Sequence, residues 1–209
     1  MNIYEIGKRF IDLLLAGILA LLFLPLWALI PVLIKIDSKG KAIFSQPRIG
    51  KNGIQFYILK FRSMVVGADE LLWKDPRFSS LRQEFSRRDW KLPNDPRITR
   101  VGRILRRLSF YEFPQVFNVL MGEMSIVGPR AYRPQELVDQ QKKYPGTKEL
   151  IKKALNVKPG ITGLWQVSGR NDVPFDKRVM IDAEYANRKS LWEDVKILIR
   201  TPMAMISKW

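Results

Sequence analysis

The chain has 209 residues, with 36 lysines and arginines against 20 aspartates and glutamates, and a formal charge of +16. That length suits one domain with its own core, and the charge favours phosphate-bearing partners: nucleic acid, anionic lipid or phosphorylated substrates. Histidine and cysteine are absent, which excludes disulfides, thiolate nucleophiles, Cys/His zinc sites, a Ser-His-Asp triad and a histidine general base. Chemistry must therefore use Asp, Glu, Lys, Arg, Tyr or Ser, or a hard metal such as magnesium held by carboxylates.

Leu13 to Ile34 is apolar and uncharged, long enough for a bilayer. Its length argues against a buried core helix. Its Ile34-Lys35-Ile36-Asp37 ending lacks the small-residue cleavage site of a signal peptide. Pro25 and Pro31 interrupt the run, and proline inside a helix removes a hydrogen bond and bends it. Both flanks are basic, Lys8-Arg9 before and Lys35, Lys39 and Lys41 after, and basic flanks stay cytoplasmic. A plain spanning helix satisfies the hydropathy; a helix-break-helix that enters and leaves one leaflet satisfies the prolines and the charges as well. Asp12 would sit at the interface beside Lys8 and Arg9, paired with one of them or part of a solvated cluster drawn to anionic lipid.

Ala42 to Met64 reads as strand, turn, strand, with Asn52-Gly53 as the hairpin signal. Lys60 and Arg62 repeat at the strand period and would share one face. Two cations there could grip phosphate oxygens or form a solvated face. Gly67 to Trp90 is helical and amphipathic, split by Pro76, and fits a membrane surface or ordinary core packing. After a turn at Asn94–Arg97, the segment to Leu108 carries Arg97, Arg100, Arg103, Arg106 and Arg107. Such a run could attract nucleic acid, but no helix-turn-helix, zinc-finger or RNP-type motif accompanies it, so no nucleic-acid partner is expected.

Ser109-x-x-Glu112 fits a capping box, although Pro114 favours a helix start nearer Phe113. Either start puts Tyr111 and Glu112 near a helix N-terminus, where anions are favoured; a capping role alone would also account for Glu112. Val116 to Leu120 reads as a buried helix turn. Gly128-Pro129 then turns the chain to present Arg130, whose planar guanidinium suits bidentate phosphate recognition. Pro134 to Leu155 reads as one polar, solvent-facing helix. Val157 to Asn171 is punctuated by Gly160, Gly163 and Gly169 and matches neither the P-loop nor the Rossmann fingerprint. Asp176–Tyr185 and Ser190–Thr201 read as two helices, on which Asp182 and Asp194 are candidates for pairing with arginines. The expected architecture is α+β, mostly helical with a small β-hairpin or sheet. Residues 1–36 form a re-entrant membrane anchor, and residues 37–209 a cytosolic catalytic domain with interfacial helices.

In this order, these segments resemble the bacterial sugar transferase family, the monotopic phosphoglycosyl transferases. The resemblance is carried by Lys8-Arg9-Phe10-Ile11-Asp12, Gln46-Pro47-Arg48-Ile49-Gly50, Lys60-Phe61-Arg62-Ser63-Met64 and Asp95 to Arg103. It continues through Ser109 to Arg130, Pro159 to Asn171 and Ser190 to Ile197. It implies an enzyme on the cytoplasmic face of the bacterial inner membrane. Such an enzyme transfers a sugar 1-phosphate from a UDP-sugar to polyprenyl (undecaprenyl) phosphate through a covalent phosphosugar, releases UMP and uses magnesium. By the same resemblance Lys60, Arg62, Arg106, Arg130 and Arg170 contact phosphate or nucleotide, Glu112 ligates magnesium, and Asp182 and Asp194 support substrate, arginine or metal binding. Membrane lipid is a further partner. A homodimer is allowed by the sequence, which does not fix the oligomeric state.

The family pattern Ser-Leu-Asp-Glu-Leu-Pro-Gln has its Asp as nucleophile; here the segment reads Ser109-Phe110-Tyr111-Glu112-Phe113-Pro114-Gln115. Three readings stay open: Tyr111 is the nucleophile, Glu112 replaces it, or the protein binds substrates with little turnover. An ordinary phenol, with a pKa of about 10, is mostly protonated at neutral pH, and neighbouring cations would favour its ionised form.

Overall fold

Two helices, α1 (Ile3–Leu22) and α2 (Leu24–Asp37), open the computed structural model, which describes residues 3–89, 92, 94–169 and 172–205. Phe23 leaves helical geometry between them (φ −97°, ψ 18°), and Pro25 lies in the first turn of α2, where its missing N–H costs little. The pair bends by 63°. Neither helix alone is long and apolar enough to cross a membrane; the bent pair together meets the requirement by length and composition only. Pro31 sits inside α2 without ending it, so the break comes at Phe23-Leu24-Pro25 alone.

The β-hairpin forms as its pattern predicts. β1 (Ile43–Ile49) and β2 (Gln55–Phe61) pair antiparallel, with Phe44 opposite Lys60, Gln46 opposite Ile58 and Arg48 opposite Phe56. Asn52 and Gly53 take positive φ in the connection (58° and 80°), a conformation those two residue types tolerate. α3 (Ala68–Lys74) and α4 (Ser79–Arg87) follow, separated by a single turn at Pro76–Phe78. α5 (Arg100–Arg107) is capped by Thr99, whose hydroxyl accepts the Gly102 N–H at 3.0 Å.

Ser109 does not cap the next helix. It takes a left-handed conformation (φ 59°) and its side chain caps nothing; Phe110–Glu112 is a 3-10 turn, and α6 (Gln115–Met121) begins after Pro114. Proline, lacking an N–H, is accepted at the helix entrance and moves the start past the expected box. β3 (Ser125–Val127) leads to α7 (Pro134–Lys143), then a turn at Pro145–Thr147, then α8 (Lys148–Ala154). The single helix expected over 134–155 is thus two, broken at Pro145-Gly146. It is not simply solvent-facing either, since Glu136, Leu137 and Gln140 are buried. β4 (Gly160–Thr162) pairs parallel with β3; α9 (Leu164–Val167), α10 (Phe175–Arg188) and α11 (Leu191–Met205) complete the chain. The molecule is α+β and mostly helical.

Three buried clusters hold these parts together. The central one joins Ala16 of α1 to Phe56 and Ile58, to Val116 and Val119, and to Ile126, Tyr185 and Ile197. A second joins Ile30 and Ile34 of α2 to Phe61, Leu105 and Tyr111. A third gathers Tyr132, Leu137, Ile151, Phe175 and Val179. The hairpin α1–α2 is therefore packed on the body along one side, while Phe10, Leu14, Ile18, Leu21, Leu22, Leu24 and Ile36 are exposed on its other side.

The basic flank of α1 is part of that seam. Arg9 donates to the Val119 and Leu120 carbonyls at the end of α6 (2.6 and 2.9 Å), where the helix dipole welcomes a cation. Asp12 is not an interfacial group: it is buried and accepts the Ser125 hydroxyl and the Ile126 N–H, both at 2.9 Å, with Lys8 at 3.7 Å.

Candidate active site

A cleft of about 1120 Å³ runs between the β-hairpin, the α3–α4 segment, the 110–112 turn and the loops after β3 and β4. Residues Lys60, Arg62, Arg106, Tyr111, Glu112 and Arg130 all line it, as do Gln46, Arg48, Asp69, Arg133 and Trp165. Arg170 lies outside the described residues.

Lys60 projects from β2 onto Glu112, Nζ to Oε1 at 2.9 Å, and stands 5.0 Å from the centre of the Tyr111 ring. Arg106, held by a 3.0 Å bond from its Nε to the Ser63 hydroxyl, lies over the same ring at 5.6 Å. Two cations thus flank a tyrosine that is 9% exposed. Burial pushes the Lys60 ammonium down to about 8; Glu112 opposes the shift and Arg48 adds to it.

Arg62 is placed differently. Its guanidinium donates to the Ser38 carbonyl and hydroxyl at 2.6 and 3.0 Å, so it ties the end of α2 to the end of β2. Its Nε and Nη1 are buried without hydrogen-bond partners among the described residues, and Gly40 lies against Nη1. Arg62 is a strut between the hairpin and the cleft wall.

The loop carrying Arg130 is set by close backbone packing. A methyl group on Gly128 would run into the Lys158 carbonyl and the Gly160 nitrogen, so glycine is what lets β3 and β4 come together there. Asp182 on α10 then pins the loop: its carboxylate accepts the Arg130 N–H at 3.2 Å and the Tyr132 hydroxyl at 2.6 Å. Burial pushes Asp182 up to about 6, against the lowering effect of those two bonds and of Arg178 and Arg130. Asp182 does not line the cleft; it acts through Arg130. Asp194 is further removed, consumed by Lys8 at 3.0 Å and the Tyr185 hydroxyl at 2.6 Å, and joins α11 to α1. Neither aspartate lines the cleft; Asp182 holds the loop that carries Arg130, and its Oδ1 is buried without a hydrogen-bond partner among the described residues.

Four functional candidates escaped sequence reasoning. Arg48 is 5% exposed and sits in the cleft, and burial, with Arg133 and Arg130 nearby, pushes its guanidinium down to about 9. Its signal was available: Phe44, Gln46 and Arg48 alternate along β1 opposite Lys60, Ile58 and Phe56, so strand periodicity puts Arg48 on the face of Lys60. Arg133 meets Asp69 of α3 at 3.5 Å, and Gln46 donates to the same carboxylate at 2.9 Å. Glu136 and Arg178, each about 1% exposed, pair at 3.2 Å beneath the cleft. Burial alone would raise the Glu136 carboxyl, but Arg130, Arg178, Arg48 and Arg133 hold it below the usual range. Arg130 and Arg178 both lie over the Trp165 ring, at 5.2 and 5.6 Å.

Among the described residues no group of three or more acidic side chains could cage a metal ion. Glu112 is one carboxylate at the cleft. Magnesium commonly binds through one or two carboxylates together with substrate phosphates, so Glu112 fits such an ion once a diphosphate is present.

The cleft is rich in arginine and lysine, with a carboxylate beside a tyrosine, and the apolar bent hairpin packs next to it. The family profile described as "Bacterial sugar transferase" matches residues 3–208. The chain belongs to the bacterial sugar transferase family. Among its relatives is the exopolysaccharide production protein ExoY of Rhizobium meliloti, 42% identical over 207 residues, 97% of this chain and 87% of ExoY. An uncharacterized sugar transferase of Haemophilus influenzae is 42% identical over 208 residues, 98% of this chain and 42% of that protein. The undecaprenyl-phosphate galactose phosphotransferase of Salmonella typhimurium is 39% identical over 201 residues, 96% of this chain and 40% of the relative. This sugar transferase thus spans about two fifths of the length of the latter two.

Proposed function

We propose that the protein is a phosphoglycosyl transferase of the cytoplasmic membrane face, moving a sugar 1-phosphate from a UDP-sugar to polyprenyl phosphate in the first membrane step of surface-glycan assembly. The observation that carries this reading is the convergence of Lys60, Arg48, Arg106 and Arg130 on one cleft with Tyr111 and Glu112. It is supported by the Salmonella relative's name, which specifies an undecaprenyl-phosphate galactose phosphotransferase, and by a second relative named as a UDP-glucose:undecaprenyl-phosphate glucose-1-phosphate transferase from Xanthomonas campestris, 38% identical over 215 residues.

The proposed chemistry is two displacements at one phosphorus. The Tyr111 oxygen attacks the sugar-bearing phosphorus and its proton passes to solvent. The bond from that phosphorus to the bridging oxygen breaks, and UMP leaves with the electron pair. A polyprenyl phosphate oxygen then attacks the same phosphorus and displaces the tyrosine oxygen, which takes a proton back from solvent, and the product is a polyprenyl diphosphate sugar. Lys60 and Arg106, already over the ring, stabilise the anionic oxygen of Tyr111 and neutralise the transferred phosphate. Glu112, released from Lys60 as the diphosphate arrives, would hold magnesium, which neutralises phosphate charge. The exposed apolar side of α1–α2 would enter one leaflet, bringing the lipid acceptor to the Tyr111 side of the cleft.

A panel of UDP-sugars incubated with the protein, magnesium and polyprenyl phosphate should release UMP with at least one of them. No release with any donor would sink the enzyme reading and leave a substrate-binding relative, which the Lys60–Glu112 pairing in the resting cleft would then explain. Mass spectrometry of donor-treated protein, without acceptor, should place the phosphosugar on Tyr111. An adduct on Glu112 would refute the assignment of the nucleophile.

A further inference from the structure

One feature of the cleft is costly unless a ligand is expected. An isolated antiparallel bridge joins Ile49 of β1 to Tyr132, with the Ile49 N–H donating to the Tyr132 carbonyl at 2.9 Å. In antiparallel pairing the residues either side of a bridge face one another, so Arg48 stands directly across from Arg133. Like charges in that relation are destabilising. Arg48 is also almost fully buried, and its one hydrogen bond to protein among the described residues goes to the carbonyl of its neighbour Pro47, at 3.1 Å. It forms no ion pair within the distance limit among those residues, and its nearest arginines push its charge state down rather than up. Arg130 joins the pair from the same loop as Arg133, and one buried carboxylate, Glu136, serves all three together with Arg178. A buried guanidinium without an ion pair among the described residues, set against two partly exposed ones, forms a cradle for an anion.

The cradle adjoins the tyrosine: Arg48 and Arg130 both act on the charge of Lys60, and Arg130 feels Tyr111 and Glu112. Tyr111 belongs to the apolar cluster built on Ile30 and Ile34 of α2, the side from which a lipid-borne phosphate must come. Arg48 lies four residues along β1 from Phe44, the residue opposite Lys60, on the same strand face, so its long side chain can meet the phosphate next to the one that Lys60 serves. The walls near it are Asp69 of α3 and Arg133, not the hairpin. We propose that Arg48 and Arg133, with Arg130, bind the nucleotide-side phosphate of the donor and retain the nucleoside monophosphate as it leaves, while Lys60 and Arg106 serve the transferred phosphate. This assignment rests on the proposed function. Asp69 holds Arg133 in the ligand-free cleft and is the group that the phosphate displaces.

Binding of UMP, uridine and farnesyl phosphate to the full-length chain in detergent, measured by calorimetry, tests it without requiring turnover. UMP should bind, and Arg48→Gln and Arg133→Gln should each weaken it by about tenfold or more, the loss expected for hydrogen bonds to a charged group. Uridine, which lacks the phosphate, should be indifferent to both changes. Asp69→Asn, which removes the competing carboxylate, should tighten UMP. Arg48→Lys, which keeps the charge but loses the planar fork, should fall between wild type and Arg48→Gln, and thermal melts of each variant separate lost binding from lost fold. Unchanged UMP affinity in folded Arg48→Gln or Arg48→Lys overturns the proposal. So does a loss of farnesyl phosphate binding in place of UMP binding, which would make the cradle the acceptor site. If no UDP-sugar releases UMP and yet Arg48-dependent UMP binding persists, the enzyme reading fails while the cradle stands. Release of UMP at wild-type efficiency by folded Arg48→Gln is the converse.

Discussion

At the scale of single residues, the cleft depends on how burial and neighbouring charge set each cation. Lys60 illustrates the balance: burial and Arg48 push its ammonium down to about 8 while Glu112 pulls it back. At neutral pH it is mostly charged, and it loses its proton in a range where a solvated lysine would not. The value of kcat/KM for the donor, which reports groups of the free enzyme, should therefore decline as pH rises through about 8. Lys60→Arg, with a group that stays charged, should carry that alkaline limb upward even if the plateau is lower. A profile that is flat to pH 10 in the wild-type protein would show that Lys60 does not act as a cation in turnover. Folding follows the opposite sign. Because the folded pKa lies below the unfolded one, the native state releases this proton first, and the burden of burying a charged lysine eases as pH rises from about 8 toward the unfolded value.

At the scale of elements, the arginines are held by one helix. Glu136, in the first turn of α7, pairs with Arg178 of α10 at 3.2 Å and with Arg130 at 3.7 Å, with its side chain and that of Arg178 about 1% exposed. Glu136→Gln leaves a buried guanidinium without its counter-charge, a change that typically costs roughly 3–5 kcal/mol. Chemical denaturation should show that loss at pH 7. It should shrink in acid: the native Glu136 carboxyl is held below its usual range, so its contribution is complete above the unfolded carboxyl pKa of about 4.3 and disappears as pH falls through the lower native value. Equal stability of the variant and the parent at pH 7 would remove Glu136 from its place under the cleft.

Much at this scale was legible in the sequence, and the failures have a common cause. The β-hairpin, the Pro76 break and the Gly128-Pro129-Arg130 turn could be read because each is fixed by local chemistry: alternation, a missing N–H, a residue type that tolerates close packing. The capping box at Ser109 failed where local rules conflicted, Pro114 delaying the helix that Ser109 was expected to start. The sequence marks Asp182 and Asp194 as candidates for pairing with arginines, but their tyrosine partners, Tyr132 and Tyr185, become neighbours only through packing, and for Asp182 that neighbour lies fifty residues away. Arg48 lay in plain view on a predicted strand. Periodicity puts it on the face of Lys60; its place opposite Arg133 comes only from the bridge between Ile49 and Tyr132, a contact between segments more than eighty residues apart.

For the whole molecule the decisive question is how the α1–α2 pair meets a membrane. The pair bends by 63°, its inner side is clamped to the body by Arg9 and Asp12, and its outer side exposes Phe10, Leu14, Ile18, Leu21 and Leu24. A straight spanning helix would have to break the Arg9 bonds to α6 or pull Asp12 out of its pocket, leaving buried polar groups without partners. It would also carry one of the two basic flanks across the bilayer, against the charge rule. The re-entrant arrangement keeps both. The chain contains no cysteine, so single cysteines can report each flank without a background. Ile3→Cys and Lys39→Cys replace exposed residues at the two ends of the pair. In intact spheroplasts neither should react with a membrane-impermeant maleimide, and after permeabilisation both should. Labelling of one position alone in intact spheroplasts would establish a spanning helix, and with it a lipid acceptor that approaches the Tyr111 side of the cleft by some other route. Ile18→Lys, on the exposed side, should release the protein from liposomes in a flotation assay while its circular dichroism melt stays near that of the parent, because Ile18 is exposed and lies outside the buried clusters.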